Sequence, residues 1–256
     1  MPRRLALAVA LACLSSAALA DFRADYESSG GQSADHAMSR FEVAGGRMRI
    51  DSGNVSMLFD VSNDKLIMLM HDKREYMDMA KVAETAGAAM AQANAALANL
   101  PPEQRAMIEQ RMHSAMGGVG QKLSVHIAPT GASDRVGSWS CQVYRTDVGD
   151  SHSSDMCLAD SNDAGISAAD RATVHRAFDQ IKAMTEKMTA GMVRPPISQL
   201  PEGKFPVRIT HFEDNGKTQT VVLKGVTNSV SAADFSIPAG YSEKQIEMHG
   251  PAGRHH

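Results

Sequence analysis

An α+β fold, with an antiparallel sheet packed on helices and a helical hairpin inserted between strands, is what this chain of 256 residues predicts. Two patterns carry that reading. Apolar residues alternate with polar ones from 21 to 79 and again beyond 122, the period of a half-buried strand. Between these stretches they recur every three or four residues, the period of an amphipathic helix. No internal repeat or flexible linker divides the chain, so one domain over 21–248 is expected. Within it a helical insertion covers about 80–117, and 249–256 form a disordered tail.

The first twenty residues read as a secretory signal. Arg3 and Arg4 precede an unbroken apolar run from Leu5 to Leu14, and Ala18-Leu19-Ala20 supplies the small residues of a cleavage site before Asp21. The run is too short to span a bilayer. Cys13 raises a rival, lipidation after cleavage in front of it, but Ala10 stands where a lipobox prefers Leu. The expected destination is the periplasm. Without Arg3 and Arg4 the basic count falls from 26 to 24 against 29 acidic residues, so net charge moves from -3 to -5. That balance offers no footprint for nucleic acid. No later stretch approaches a membrane-spanning length.

The elements follow in order. Phe22, Ala24 and Tyr26 alternate with polar neighbours; Gly45-Gly46 turns the chain into a strand whose Met48 and Ile50 share one face. Val55, Met57 and Phe59 repeat the alternation after Gly53. The denser run Leu66 to Met70 suits a central strand, and Asp72-Lys73 turns it into Glu75 to Met79. Val82, Ala86, Met90, Ala93, Leu97 and Leu100 then mark a helix, which Pro101-Pro102 breaks. Met107, Ile108, Met112 and Met116 stripe the next helix, ended by Gly117-Gly118. Strands return over Lys122 to Pro129, Val136 to Thr146 and Asp155 to Ala159. Ser167 to Asp170 has the form of a capping box, opening a helix striped by Val174, Phe178, Ile181, Met184, Met188 and Met192. Asn215-Gly216 joins Phe205–Phe212 to Thr218–Lys224 as a hairpin, and Phe235 to Pro238 is a final extended segment.

Removing the leader leaves two cysteines, Cys141 and Cys157. In an oxidising compartment two cysteines most simply pair, here on opposite strands of a hairpin. With no C-x-x-C and only His152 between them, a metal site is the weaker reading.

Gly46 to Asp51, Leu66 to Leu69, Lys73 to Met79 and the closing Phe235 to Tyr241 resemble an uncharacterised bacterial exported domain family, related in fold to the LolA and LolB lipoprotein carriers. Ser140 to Tyr144 is similar to that family's central strand. The resemblance implies a LolA-like half-barrel, a strongly curved sheet around helices with an apolar cavity between them. In the named carriers that cavity holds lipid acyl chains.

Methionine is the unusual choice in the composition, 17 residues against 7 Phe and 1 Trp. Three readings compete: core filling, an adaptable ligand surface, or a thioether site for Cu(I), for which Met184, Met188 and Met192 share a helical face. On the second reading Met57, Phe59, Met68, Met70, Met107, Met112, Met184 and Met188 line the cavity. Catalytic motifs are missing: there is no G-x-S-x-G, H-E-x-x-H, phosphate loop or dinucleotide fingerprint. The S-x-x-K of Ser62 to Lys65 sits in a hairpin turn with nothing to orient it. The expectation is a non-catalytic periplasmic protein without a cofactor, binding an apolar ligand (lipid or lipoprotein acyl chain) or an envelope partner. A copper-handling protein and a structural envelope protein without a ligand are the alternatives.

Overall fold

The computed structural model describes residues 21–31, 37–105, 107, 125–149, 151–189, 200–213 and 215–244, the side chains at 90, 93, 94 and 185–189 excepted. Within them the strands form two meanders. The first runs through β1 (Phe22–Gly30), β2 (Met38–Ala44), β3 (Arg47–Ser52), β4 (Val55–Asp60), β5 (Lys65–Met70) and β6 (Glu75–Asp78). The second runs through β7 (Val125–Val136), β8 (Trp139–Val148), β9 (Ser151–Asp160), β10 (Lys204–Phe212) and β11 (Thr218–Thr227). Antiparallel pairing of β1 with β11 welds the meanders into one open, curved sheet with β7 at one edge. At the other edge β12 (Ser242–Glu243) lies parallel to β6.

Local chemistry explains the turns. Gly45 and Gly46 both adopt positive φ (+56° and +77°) between the paired Ala44 and Arg47, the two-residue turn whose twist matches the flanking strands. The second meander departs from the predicted boundaries. The chain does not break between Pro129 and Val136; it continues as β7, and its register against β8 jumps between Pro129 and Ser133. Gly131, at φ +81°, gives that bulge its backbone freedom, and the turn falls at Gly137, φ +57°.

Two long helices cover one face of the sheet. α1 (Met79–Ala98) is inserted between β6 and β7 and capped by Asp78, whose side chain accepts from the Ala80 amide. Residues 102–105 are again helical, and Arg105 donates back to the Leu97 and Ala98 carbonyls that end α1. Met107 is helical too, and the rest of the expected second helix, Met112 included, lies outside the described residues. α2 (Ala168–Thr189) starts in the capping box expected: the Asp170 amide donates to Ser167 Oγ, and the Ser167 amide donates to Asp170 Oδ2.

The main core forms where Val174, Phe178, Ile181 and Met184 of α2 meet the inward residues of β1 to β4 and β10 to β11, among them Phe22, Phe41, Met48, Phe59, Val207 and Leu223. The disulfide Cys141–Cys157 bridges neighbouring strands β8 and β9 with Cα atoms 5.3 Å apart, inside this core. On the outer face Leu58, Ile67 and Leu69 form a second cluster. The C-terminal segment covers it. The extended stretch expected from Phe235 begins instead as a 3₁₀ turn, η1 (Ala232–Phe235), because Ser231 and Asp234 close a capping box around it. Ile237 and Tyr241 then pack on the outer cluster.

Candidate functional site

The inner face of the sheet leaves a cavity of about 380 Å³, within the range of small-ligand sites. Alternation in β1, β2 and β3 aims Tyr26, Phe41 and Ile50 into it, with Met38 beside them. The other meander supplies Met156 from β9 and Phe205, Pro206 and Ile209 from β10. Helix α2 roofs it with Val174 and Phe178. The walls are therefore mostly hydrocarbon and aromatic.

Aromatic packing holds this wall. Phe205 lies 6.0 Å from Phe22, 6.2 Å from Phe41 and 6.4 Å from Tyr26, centroid to centroid. The Tyr26 hydroxyl donates to the Pro206 carbonyl at 2.9 Å, tying β1 to β10 across the sheet. Burial pushes the Tyr26 phenol far above its ordinary range, so it remains a neutral donor. In the first turn of α2, Asp170 is also pushed up by burial, although Ser167 bonds its carboxylate.

Polar groups gather at one end. Thr146, Ser153, Ser154 and His211 line the cavity there, and Lys204 lies toward the other end of β10. His211 meets solvent, yet desolvation by the surrounding wall lowers its pKa and favours the neutral ring.

A second opening of about 480 Å³ lies between α1, α2 and β5, where the small side chains of Ala80, Ala83 and Ala183 leave room beside Leu66 and Met184. Acidic Asp64 and Glu84 stand at its walls. Gln180 ties this end of α2 to the β4–β5 turn through Asp64 Oδ1 at 2.6 Å.

The residues singled out from sequence are distributed around these spaces. Met57 and Met68 face each other across β4 and β5, and Met68 faces Met77 of β6. Ile50 of the cavity pairs with Met57, so the methionine row continues the cavity wall across the sheet. Phe59 is buried in the main core, and Met70 sits half-buried opposite Val55. Met184 lines the second opening. Met107 is exposed at 54%, and the side chains of Met112 and Met188 lie outside the described residues. Sequence reasoning did not single out the cavity's own aromatic lining or Thr146 and Ser154. In β8 to β10 their alternation reads equally well as a solvated face.

The outer face carries a dense polar network. Arg23, Glu42 and Arg49 face one another across β1, β2 and β3, as do Asp25, Arg40, Asp51 and Ser56 across β1 to β4. Ser56 Oγ donates to Asp51 Oδ1 at 2.5 Å and lies 2.6 Å from His71 Nε2. A serine beside a histidine is the signature of an activated nucleophile. Here Ser56 is 0% exposed, its proton is engaged by Asp51, and neither cavity described above includes it. Among the described residues no group of three or more His, Cys, Asp or Glu side chains is placed to hold a metal ion. No described helix is long and apolar enough to cross a membrane.

No protein-family model and no curated protein sequence matches this chain. Among solved structures it is similar to one described as "Structure of PNGF-II in C2 space group", with a TM-score of 0.30 and 10% identity over 88% of this chain. The match spans 31% of that protein's length, and a likeness this distant carries no argument about function.

Proposed function

We propose that this chain is an exported, non-catalytic carrier of LolA-like architecture, which holds an apolar ligand between α2 and the inner face of its sheet. The observation that carries this reading is the cavity of about 380 Å³ walled by Tyr26, Phe41, Phe178, Phe205 and Ile209. Burying hydrocarbon there stabilises a complex by about 0.8 kcal/mol per CH₂, so an acyl chain of a lipid or lipoprotein is a ligand of matching chemistry. The curved open sheet covered on one face by helices supports the comparison with the lipoprotein carriers. The disulfide suits an oxidising compartment, which for a chain with this leader is the periplasm.

Mass spectrometry of gently purified protein, before and after lipid extraction, tests the proposal. A copurifying lipid that exchanges with added lipid is expected. Protein that carries none and takes up none is not a carrier.

One observation favours a second reading, Cu(I) handling: the facing row Met57, Met68 and Met77 offers three soft thioethers on adjacent strands. Titration of Cu(I) against a competing chelator, with Met57→Leu and Met68→Leu combined, checks it. Binding that the double variant leaves unchanged removes this reading.

A further inference from the structure

The charges that line the cavity have one sign. Among the described residues its ionisable side chains are the Tyr26 phenol, Lys204 and His211, and no carboxylate joins them. Burial keeps the phenol protonated and favours the neutral His211 ring, which leaves the Lys204 ammonium as the charge on this wall.

Lys204 opens β10 and is half-buried. It lines the cavity and also a small opening beside it, and the two spaces share Val174, Phe178, Leu200 and Phe205. Its ammonium makes no hydrogen bond or ion pair with a described residue. Asp160, its cross-strand partner on β9, accepts instead from the Asn162 amide at 3.0 Å. Asp179 lines the small opening but is exposed, and it shares that opening with the basic Arg171 and His175. A lysine lays its apolar stem along a hydrocarbon wall and leaves its ammonium where water reaches it. The unpaired charge therefore marks the rim of the cavity, at the opposite end of β10 from His211.

An unpaired cation at the rim of an apolar space complements a negative charge carried on a hydrocarbon tail. Two features narrow the ligand. The volume of about 380 Å³ lies near the lower end of small-molecule sites, which leaves room for one chain rather than two. A phosphate monoester carries a charge of about −1.5 to −2 at neutral pH, more than one ammonium offsets, whereas a carboxylate carries a single charge.

We infer that the cavity takes a single-chain fatty carboxylate, its head met by Lys204 at the rim and its tail lying along Phe178, Phe205 and Ile209. This inference rests on the carrier reading and adds the class of ligand.

Isothermal titration of the delipidated protein with laurate, methyl laurate and dodecyl phosphate, all below micelle formation, tests it. Lys204→Met keeps an apolar stem and removes the charge. It is expected to weaken laurate about fivefold, the effect of one partly exposed ion pair, and to leave methyl laurate unchanged. Lys204→Arg keeps the charge and should bind laurate as wild type does. Dodecyl phosphate should bind no tighter than laurate. Laurate binding that Lys204→Met leaves unchanged, or weakens only in step with methyl laurate, overturns the head site. Tighter binding of dodecyl phosphate overturns the carboxylate. Uptake of methyl laurate without laurate overturns the inference and leaves an apolar carrier, whereas failure of all three probes to bind defeats the carrier reading itself.

Discussion

His71 joins two separated parts of the outer face: its Nε2 lies 2.6 Å from Ser56 Oγ, and its Nδ1 lies 2.7 Å from the hydroxyl of Tyr241. Ser56 belongs to the sheet and Tyr241 to the C-terminal segment, so the ring links that segment to β4. Arg49 adds a bond to the Asp234 carbonyl at 2.7 Å, and its neighbour Arg47 stacks on Phe235 at 5.0 Å. The pair thus fastens a cover over Leu58, Ile67 and Leu69.

If that linkage is structural, Tyr241→Phe lowers the free energy of unfolding by about 1 kcal/mol, the usual net value of one hydrogen bond. His71→Ala costs on the order of 2 kcal/mol, because it leaves two polar partners to find water. Urea unfolding measures both. A Ser56→Ala protein of unaltered stability that had lost an esterase activity would reverse the assignment and make Ser56 a nucleophile.

The disulfide supplies a second prediction. Replacing Cys141 and Cys157 together by Ala should cost about 3 kcal/mol, as expected for releasing a loop closed over a separation of 16 residues. Chemical denaturation of both proteins gives the difference. Unfolded but unreduced wild type should show no thiol at Cys141 or Cys157 on labelling, and two reactive thiols there would show that the bridge does not form.

These features differ in how openly the sequence displayed them. The alternation Phe22, Ala24, Tyr26 and the helical spacing Val174, Phe178, Ile181, Met184 are local, and both elements formed as read, with the inward set in the core. The cysteine pair was legible because only two cysteines follow the apolar leader-like run, at a spacing that suits opposite strands of a hairpin. The cavity was not. It exists only because β1 pairs with β11, which brings Tyr26 within hydrogen-bond reach of Pro206, 180 residues away. No periodicity reports a contact of that range. Methionine count drew attention to Met57 and Met68, which form a row beside the cavity; the cavity's own wall mixes the rings of Tyr26, Phe41, Phe178 and Phe205 with aliphatic side chains and with Met38 and Met156, and carried no compositional signal.

Filling the cavity should separate ligand binding from folding. Val174 stands half-buried on α2 at the cavity roof. Val174→Phe places a ring in open space rather than in the close-packed core, so the melting temperature should stay within a few degrees of wild type. Affinity for an apolar probe should fall at least about tenfold, since the hydrocarbon would lose the burial that drives binding. Calorimetry of the probe titration reads the second effect and thermal denaturation the first. Undiminished affinity in a normally folded variant would place the ligand elsewhere, and the second opening beside Met184 would be the next site to block.

Glu42 makes the last prediction. Its side chain is 0% exposed, with the nearest cations, Arg23 and Arg40, at 3.8 and 3.9 Å, and neither carboxylate oxygen is hydrogen-bonded. Burial, reinforced by the charge of Asp234, raises its pKa above the ordinary glutamate value, outweighing Arg40, Arg49 and Arg23. A carboxyl whose pKa is higher folded than unfolded binds more protons in the native state. Its contribution to stability is therefore complete below the unfolded pKa and is lost as pH rises through the folded one. Glu42→Gln cannot titrate and should escape that loss. The melting temperature of the variant minus that of wild type should thus be more positive at pH 7 than at pH 4. A difference that is the same at both, or larger in acid, would mean that the three arginines dominate and that Glu42 is held as a stabilised anion.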